Sequence, residues 1–267
     1  MAIKFLEVNY KNIFENLNID INKNQITSLI GKNGSGKTLL LNLIYGLDQN
    51  FEGKITIGRK SFNSKTKTKH ISEINSNILY LIQDYQKQLF NINILEDIKY
   101  SLNKININEL EELLKGFGLS ESILKKNYLE LSDSEKKKVL LVKIFINNSK
   151  IILLDDPTTG LDQKSISTLI KLLKKEKRKE KIIIISSQDS EFLLNVSDEI
   201  LIIKDKKIIK CNDKYKVFGD ESILDYCGLD MPSVLKFRKK VLEKKNLKLV
   251  YRDNINDLLK DIYRNVK

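Results

Sequence analysis

Apolar residues follow two rhythms along this chain. Over the first third they come in short runs of strand length: 3–8 ("IKFLEV"), 16–21 ("NLNIDI"), 26–30 ("ITSLI"), 54–58 ("KITIG") and 78–83 ("ILYLIQ"). Such runs predict β-strands. Helical spacing takes over in "ILEDIKYSL" (94–102) and "INELEELLKGFG" (107–118). Strand and helix then alternate, with "IILLD" at 151–155, a helix over 163–178 and "IIIISS" at 182–187. Continuous apolar strands separated by helices indicate a parallel sheet covered on both faces. The stretch 85–149 reads as a helical insertion into that α/β core, and beyond Gly219 the strands stop in favour of a small helical unit. No internal repeat is present, which argues against a solenoid.

The length, 267 residues, suffices for one large domain, or for one domain with a small appendage. A formal charge of +12 invites a nucleic-acid or anionic-membrane reading. Lys, Ile and Asn are over-used everywhere, however, as an AT-rich genome dictates, and "KLLKKEKRKEK" at 171–181 reads as a solvated helix face. Nucleic acid is therefore not the expected partner. Cys211 and Cys227 have no CxxC spacing, so neither zinc nor a disulfide framework is indicated and a reducing compartment fits. No apolar run nears the ~20 residues of a membrane helix, and "MAIKFLEVNY" lacks the apolar stretch of a signal peptide. Any membrane role is expected to run through a partner. The sole histidine, His70, lies in the polar stretch "KTKTKHISE" and reads as solvated.

Chemistry enters with "GKNGSGKT" at 31–38, which matches G-x-x-x-x-G-K-[ST] between a predicted strand and the helical run "TLLLNLIYGL". Gly31, Lys32, Asn33, Gly34, Ser35 and Gly36 form the loop whose backbone N–H groups can turn toward phosphate oxygens. The helix N-terminus adds partial positive charge, Lys37 is placed to meet β- and γ-phosphates, and Thr38 can ligate Mg²⁺. Downstream, Asp155 ends the apolar run "IILLD". A buried carboxylate is costly unless something such as a metal offsets it.

The loop alone does not choose among ATPases, GTPases and kinases. The order of the downstream segments does: Gln83, a helical insertion, "LSDSEKKK" (131–138), "IILLDD", "TTGLD" and "IIIISSQD". That succession resembles the ATP-binding-cassette (ABC) family. The resemblance implies an α/β fold: a P-loop NTPase core with an antiparallel β subdomain, a helical insertion and a small helical C-terminal extension. It places Tyr10 where an aromatic stacks on adenine, and Gln83 where a side chain senses Mg²⁺ and the attacking water. Asp155 falls where a carboxylate holds Mg²⁺, and Asp162 of "TTGLD" joins Ser132, Asp156 and Gln188 in the catalytic set. ATP and Mg²⁺ are the implied cofactors. "QDYQKQLFNINILEDIKYSLNKINI" and the tail "CGLDMPSVLKFRKKVLEKKNLKL" further resemble the ATPases of energy-coupling-factor transporters. Such ATPases drive integral-membrane and substrate-capture subunits for vitamins or transition-metal ions. The implied division is an ATPase domain at 1–218, with its helical part at about 85–149, and a dimerising extension at 219–267. The implied location is peripheral, on the cytoplasmic face of the cell membrane.

Several positions depart from that pattern. Asp156 stands where the family has a glutamate that polarises water; the shorter side chain withdraws the carboxylate by about 1.5 Å, and a misplacement of order 1 Å can cost ~10²-fold in rate. Gln188 replaces a histidine that contacts the γ-phosphate, and an amide cannot become cationic. Leu39 replaces a threonine that would bond the α-phosphate. "LSDSE" replaces Leu-Ser-Gly-Gly-Gln, so Asp133 brings a carboxylate toward a partner's phosphate. At ~4 Å and an effective dielectric near 20, like charges repel by about 4 kcal/mol unless the side chain turns outward. The expectation is a chain that binds Mg-ATP with a weakened hydrolytic site of its own, paired with an intact homologue in a heterodimer. A nucleotide-binding scaffold without turnover, a generic importer ATPase and a nucleic-acid ATPase are the alternatives.

Overall fold

Two sheets enclose the helix that comes after the glycine loop. The computed structural model describes residues 1–89, 93–100, 105–245 and 249–265. Phe90 of "QLF", Ser101 and Leu102 of the predicted helix 94–102, and residues 246–248 and 266–267 of the tail lie outside the described residues.

The first sheet is antiparallel. It is built from β1 (Ala2–Tyr10), β2 (Phe14–Asn22), β4 (Glu52–Ile57) and β5 (Lys60–Phe62) in the order β2-β1-β4-β5. The second contains β3 (Gln25–Gly31), β6 (Ile78–Leu81), β7 (Ile151–Asp155), β8 (Ile182–Ser186), β9 (Glu199–Lys204) and β10 (Lys207–Cys211), in the order β10-β9-β3-β8-β7-β6. All its pairings are parallel except β9–β10. Its strands alternate between two cores, as the period of two in a strand requires. Ile151, Leu153, Ile182 and Ile184 pack with α1 (Lys37–Tyr45) and the first sheet. Ile152, Leu154, Ile183 and Ile185 face the helices on the other side. Fully burying each such side chain is worth about 1.5–3 kcal/mol. This two-faced burial is why the runs are continuously apolar, and it fixes the C-terminal ends of β3, β7 and β8 beside one another.

Between β6 and β7 lie α3 (Ile94–Tyr100), α4 (Ile107–Gly116) and α5 (Asp133–Ile146). The remaining helices are α2 (Thr68–Asn75), α6 (Gln163–Lys177), α7 (Ser190–Val196), α8 (Lys214–Phe218), α9 (Glu221–Cys227), α10 (Ser233–Lys245) and α11 (Ile255–Asn265). The seven strands expected from the sequence are all present. The short β5 and the hairpin β9–β10 are additions to them; the turn of the hairpin, Asp205-Lys206, has positive φ at both residues (48° and 63°) without the Asn-Gly or Asp-Gly that signals such turns. No helix among the described residues is long and apolar enough to cross a membrane.

Candidate functional site

Gly31 ends β3 and the loop turns immediately onto α1. A Cβ at Gly31 would sit 2.7 Å from Ser35 Oγ and 2.8 Å from the carbonyl of Ile203, so only glycine fits. Gly36 has φ 104°, and a Cβ there would lie 2.7 Å from Ile13. Gly36 also caps α1 with no side-chain hydrogen bond, and the first turn holds no acid. The N–H groups of that turn are left for an external anion. Lys37 folds back, its Nζ donating to the carbonyls of Gly31 (2.7 Å) and Lys32 (2.9 Å). Burial lowers its ammonium below the ordinary lysine value, against the opposing pull of Cys227, Asp155 and Asp156.

Opposite the loop, Asp155 closes β7 with 3% exposure. Thr38 Oγ1 donates to its Oδ2 at 2.6 Å. Burial raises the Asp155 carboxyl above its usual range, while hydrogen bonds from Thr38 and Ser186 pull it down and Asp156 adds repulsion. Asp156 is left-handed (φ 50°), its N–H donating to the Ser186 carbonyl at 2.8 Å and its carboxylate accepting from Thr159 Oγ1. Gln188 donates from Nε2 to Asn33 Oδ1 at 3.2 Å, joining the end of β8 to the glycine loop. Gln83 lies two residues past β6, where Gln88 pins the chain by accepting from the Ile82 N–H (3.1 Å) and donating to the Tyr80 carbonyl (2.6 Å).

These groups surround one cavity of about 560 Å³. Of the predicted residues, Asn33, Gly34, Gly36, Lys37, Thr38, Leu39, Gln83, Asp155, Asp156 and Gln188 line it. A larger cleft of about 880 Å³ lies elsewhere and contains none of them; its Lys4, Lys23 and Lys60 are paired with Asp20, Glu180 and Glu73. Size is no guide here, since only the smaller cavity joins a phosphate cradle to carboxylates.

Other predicted residues stand outside the cavity. Gly31 shapes the loop from behind, and the buried Ser35 Oγ has no hydrogen-bond partner. Tyr10 requires correction: its ring is 4% exposed within the apolar core and its hydroxyl donates to Asp48, so it offers no free face to a base. Ile13, in the turn after it, lines the cavity instead. Lys32 points away, its Nζ 4.6 Å from the centre of the Tyr226 ring, whose surroundings also include Lys204 Nζ at 4.7 Å. Tyr226 belongs to α9, so the C-terminal helices touch the glycine loop.

Ser132 and Asp162 likewise lie beyond the cavity, linked through α5. Ser132 caps α5 in a reciprocal box with Glu135: Oγ accepts from the Glu135 N–H (3.3 Å), and the Glu135 carboxylate accepts from Ser132 N (2.9 Å) and Oγ (2.8 Å). Asp133 does turn aside, its carboxylate accepting from Gln86 (3.2 Å) and Lys136 (3.3 Å). The start of α1 is thus open to an anion, while that of α5 is closed by its own acids. Asp162 caps α6 through the Ser165 N–H (2.9 Å) and pairs with Lys138 (2.5 Å), which holds its carboxyl well below the usual range. Sequence reasoning missed Ile13, Asn42, Ser186 and Ser187 as lining residues. Asn42 was within reach of helical periodicity, one turn after Thr38.

With this geometry in view, the chain matches the ABC transporter family over residues 14–159, more than half its length. The chain belongs to the ABC transporter family. It is 28% identical over 256 residues to the energy-coupling factor transporter ATP-binding protein EcfA3 of Oenococcus oeni, spanning 88% of this chain and 89% of that protein. Among solved structures it superposes on cbiO1 of Clostridium perfringens, part of the ABC transporter complex cbiONQ, with a TM-score of 0.67, 25% identity and coverage of 89% and 98%. A bacterial ABC transporter cassette solved as a dimer gives a TM-score of 0.68 at 25% identity, covering 79% of this chain and 98% of that one. ABC ATPases bind ATP, typically with Mg²⁺, and generally hydrolyse it. The cavity suits that pair of cofactors: the uncapped α1 and the two oxygen donors of Thr38 and Asp155 are what a phosphate chain and a hard cation require.

Proposed function

We propose that this ABC ATPase is the ATP-binding subunit of an energy-coupling-factor type importer. It acts on the cytoplasmic face of the cell membrane through an integral-membrane subunit, with a substrate-capture subunit for a vitamin or transition-metal ion. Residues 1–218 form the ATPase domain, 85–149 its helical part, and 219–267 the extension that pairs two ATPase subunits. The observation that carries the reading is the convergence of Lys37, Thr38, Gln83, Asp155, Asp156 and Gln188 on one cavity. The likeness to EcfA3 over 88% of this chain, and to cbiO1 over 89% of it, supports the transporter class. Exposed Tyr263 (80%) and Leu259 (37%) on α11 supply apolar surface for pairing.

Within that site Lys37 leaves the Gly31 and Lys32 carbonyls for β- and γ-phosphate oxygens, and the free N–H groups of α1 cradle the same chain. Thr38 and Asp155 would hold Mg²⁺, which would supply positive charge against the phosphate chain. Gln83 orients water, and Asp156 is the base for it. The base is weak: its carboxylate is one methylene short and already shared with Thr159. Gln188 takes the γ-phosphate side with an amide that cannot become cationic. Ser132, Asp133 and Glu135 then form a poor lid over a partner's phosphate, since the α5 N-terminus is occupied by its own side chains. The arrangement calls for a heterodimer with an intact homologue, in which closure relies on ATP at Lys37 and hydrolysis on the partner's residues.

The self-capped α5 also favours a second reading, a regulator that closes on ATP without turnover. Purification from the native membrane separates the two. Importer function requires an integral-membrane subunit and a second ATPase to co-purify, with ATP-dependent phosphate release from the complex. A chain isolated without them, retaining ATP and releasing no phosphate, supports the regulator.

A further inference from the structure

Lys137 is an unusual side chain. It is 4% exposed, yet among the described residues no carboxylate is ion-paired with it. Buried lysines are rare unless paired. From the first half of α5, its Nζ donates instead to two carbonyls of the acidic loop, Asp156 at 2.7 Å and Thr159 at 2.8 Å. The ring of Tyr85 lies 5.4 Å from the same nitrogen.

The loop it grips is held in a costly shape. Asp156 has φ 50°, a region that costs most non-glycine residues roughly 1–2 kcal/mol and that an aspartate visits when local hydrogen bonds support it. Such a conformation persists only when its surroundings over-determine it. Three contacts do so here: the Asp156 N–H to Ser186, the Thr159 hydroxyl to the Asp156 carboxylate, and Lys137 on the Asp156 carbonyl. Of these, only Lys137 comes from the helical insertion. The start of the same helix is tied to the Gln83 segment, because Tyr85 donates to the Asp133 carbonyl (3.1 Å) and Gln86 to its carboxylate (3.2 Å).

We propose that Lys137 is the positioning residue for Asp156: its ammonium fixes the two carbonyls that set the direction of the Asp156 carboxylate, and so makes that direction depend on the placement of α5 and the Gln83 segment. The acid at 133 then serves as an anchor for Gln86. This inference rests on the reading of Asp156 as the base.

The test uses the full chain, alone and assembled with its partners, carrying Lys137→Met, which keeps the length without donors, or Lys137→Gln, which keeps a shorter donor. In the chain alone, Lys137→Met should speed backbone amide exchange over 156–161 by roughly tenfold or more while β3 and β8 keep their protection, with Lys137→Gln in between. In the complex, with the partner's hydrolysis blocked, Lys137→Met should lower phosphate release on the order of tenfold, leave ATP affinity within about twofold, and add no further loss in an Asp156→Ala background. Unchanged exchange over 156–161 overturns the proposal, as does a loss of turnover that persists undiminished beside Asp156→Ala, or ATP affinity that falls in step with turnover. A wild-type complex without phosphate release instead overturns the role of Asp156 as base, and the exchange result still decides whether Lys137 holds the loop.

Discussion

Replacing Thr38 by valine removes one oxygen and keeps the shape of the side chain. That oxygen donates to Asp155 at 2.6 Å, and the acceptor carboxylate is 3% exposed. A hydrogen bond to a charged group is worth about 1.5–3 kcal/mol. Thr38→Val should therefore cost about 2 kcal/mol at neutral pH, a fall in Tm of roughly 4–8 °C for a chain of this size. The cost depends on pH with a definite sign. Burial raises the Asp155 carboxyl above its unfolded value, so its contribution to stability is present below about pH 4 and is lost as pH rises through the folded pKa. The Thr38 bond opposes that loss by favouring the ionised form; without it the pKa climbs further and more stability is lost. The gap between the two proteins must open as pH rises and close again at acid pH. Urea unfolding at several pH values measures it, and nucleotide titration with and without Mg²⁺ adds the functional arm. The variant should keep binding in chelator but lose most of the tightening by Mg²⁺, whereas Thr38→Ser restores both. Equal stability at neutral pH, or a gap that does not shrink in acid, refutes the reasoning.

Three further outcomes are expected. Asp156→Glu combined with Gln188→His should raise phosphate release by the isolated chain on the order of tenfold or more, since each restores reach or charge at the γ-phosphate side; unchanged turnover in a phosphate-release assay counts against a weakened site. Glu135→Gln should remove the acid that closes the α5 N-terminus and raise turnover at the partner's site in the assembled complex, leaving ATP affinity at Lys37 nearly untouched; a partner carrying an inactivated base is the control, and no change in either background contradicts a self-closed lid. Tyr226→Leu should free Lys32 and lower the stability of the chain by about 0.5–1 kcal/mol, the worth of an exposed cation–π contact, with Tyr226→Phe neutral in the same urea unfolding measurement.

The glycine loop was legible in the sequence because a phosphate cradle needs Gly31 and Gly36 at positions where a Cβ collides, and Lys37 and Thr38 in fixed frame after them. Asp155 was legible because four apolar residues precede it, and that run is the strand β7, buried on both faces. Tyr10 was misread because pattern alone does not tell whether a strand-end ring turns outward; Asp48, 38 residues away, takes its hydroxyl and holds it in the core. Asp133 could be flagged as a charge but not placed, since Gln86 and Lys136 were not visible as its partners. Lys137 and Tyr226 were hidden for a different reason. In "EKKKV" one lysine looks like its neighbours, and only the tertiary packing of α5 against the acidic loop buries the middle one. The contact of α9 with the glycine loop joins segments nearly 200 residues apart, which no local periodicity reports.

On the function proposed above, this ABC ATPase holds Mg-ATP firmly in the Lys37 cavity and turns it over slowly by itself. A single-turnover experiment with the chain in excess over labelled Mg-ATP, monitoring bound ATP and released phosphate together, tests it most directly. ATP should remain bound and largely intact long after mixing, and Lys37→Ala should retain none. Phosphate release by the isolated chain at rates on the order of tens per second, typical of an unimpaired enzyme, or equal retention by Lys37→Ala, contradicts it.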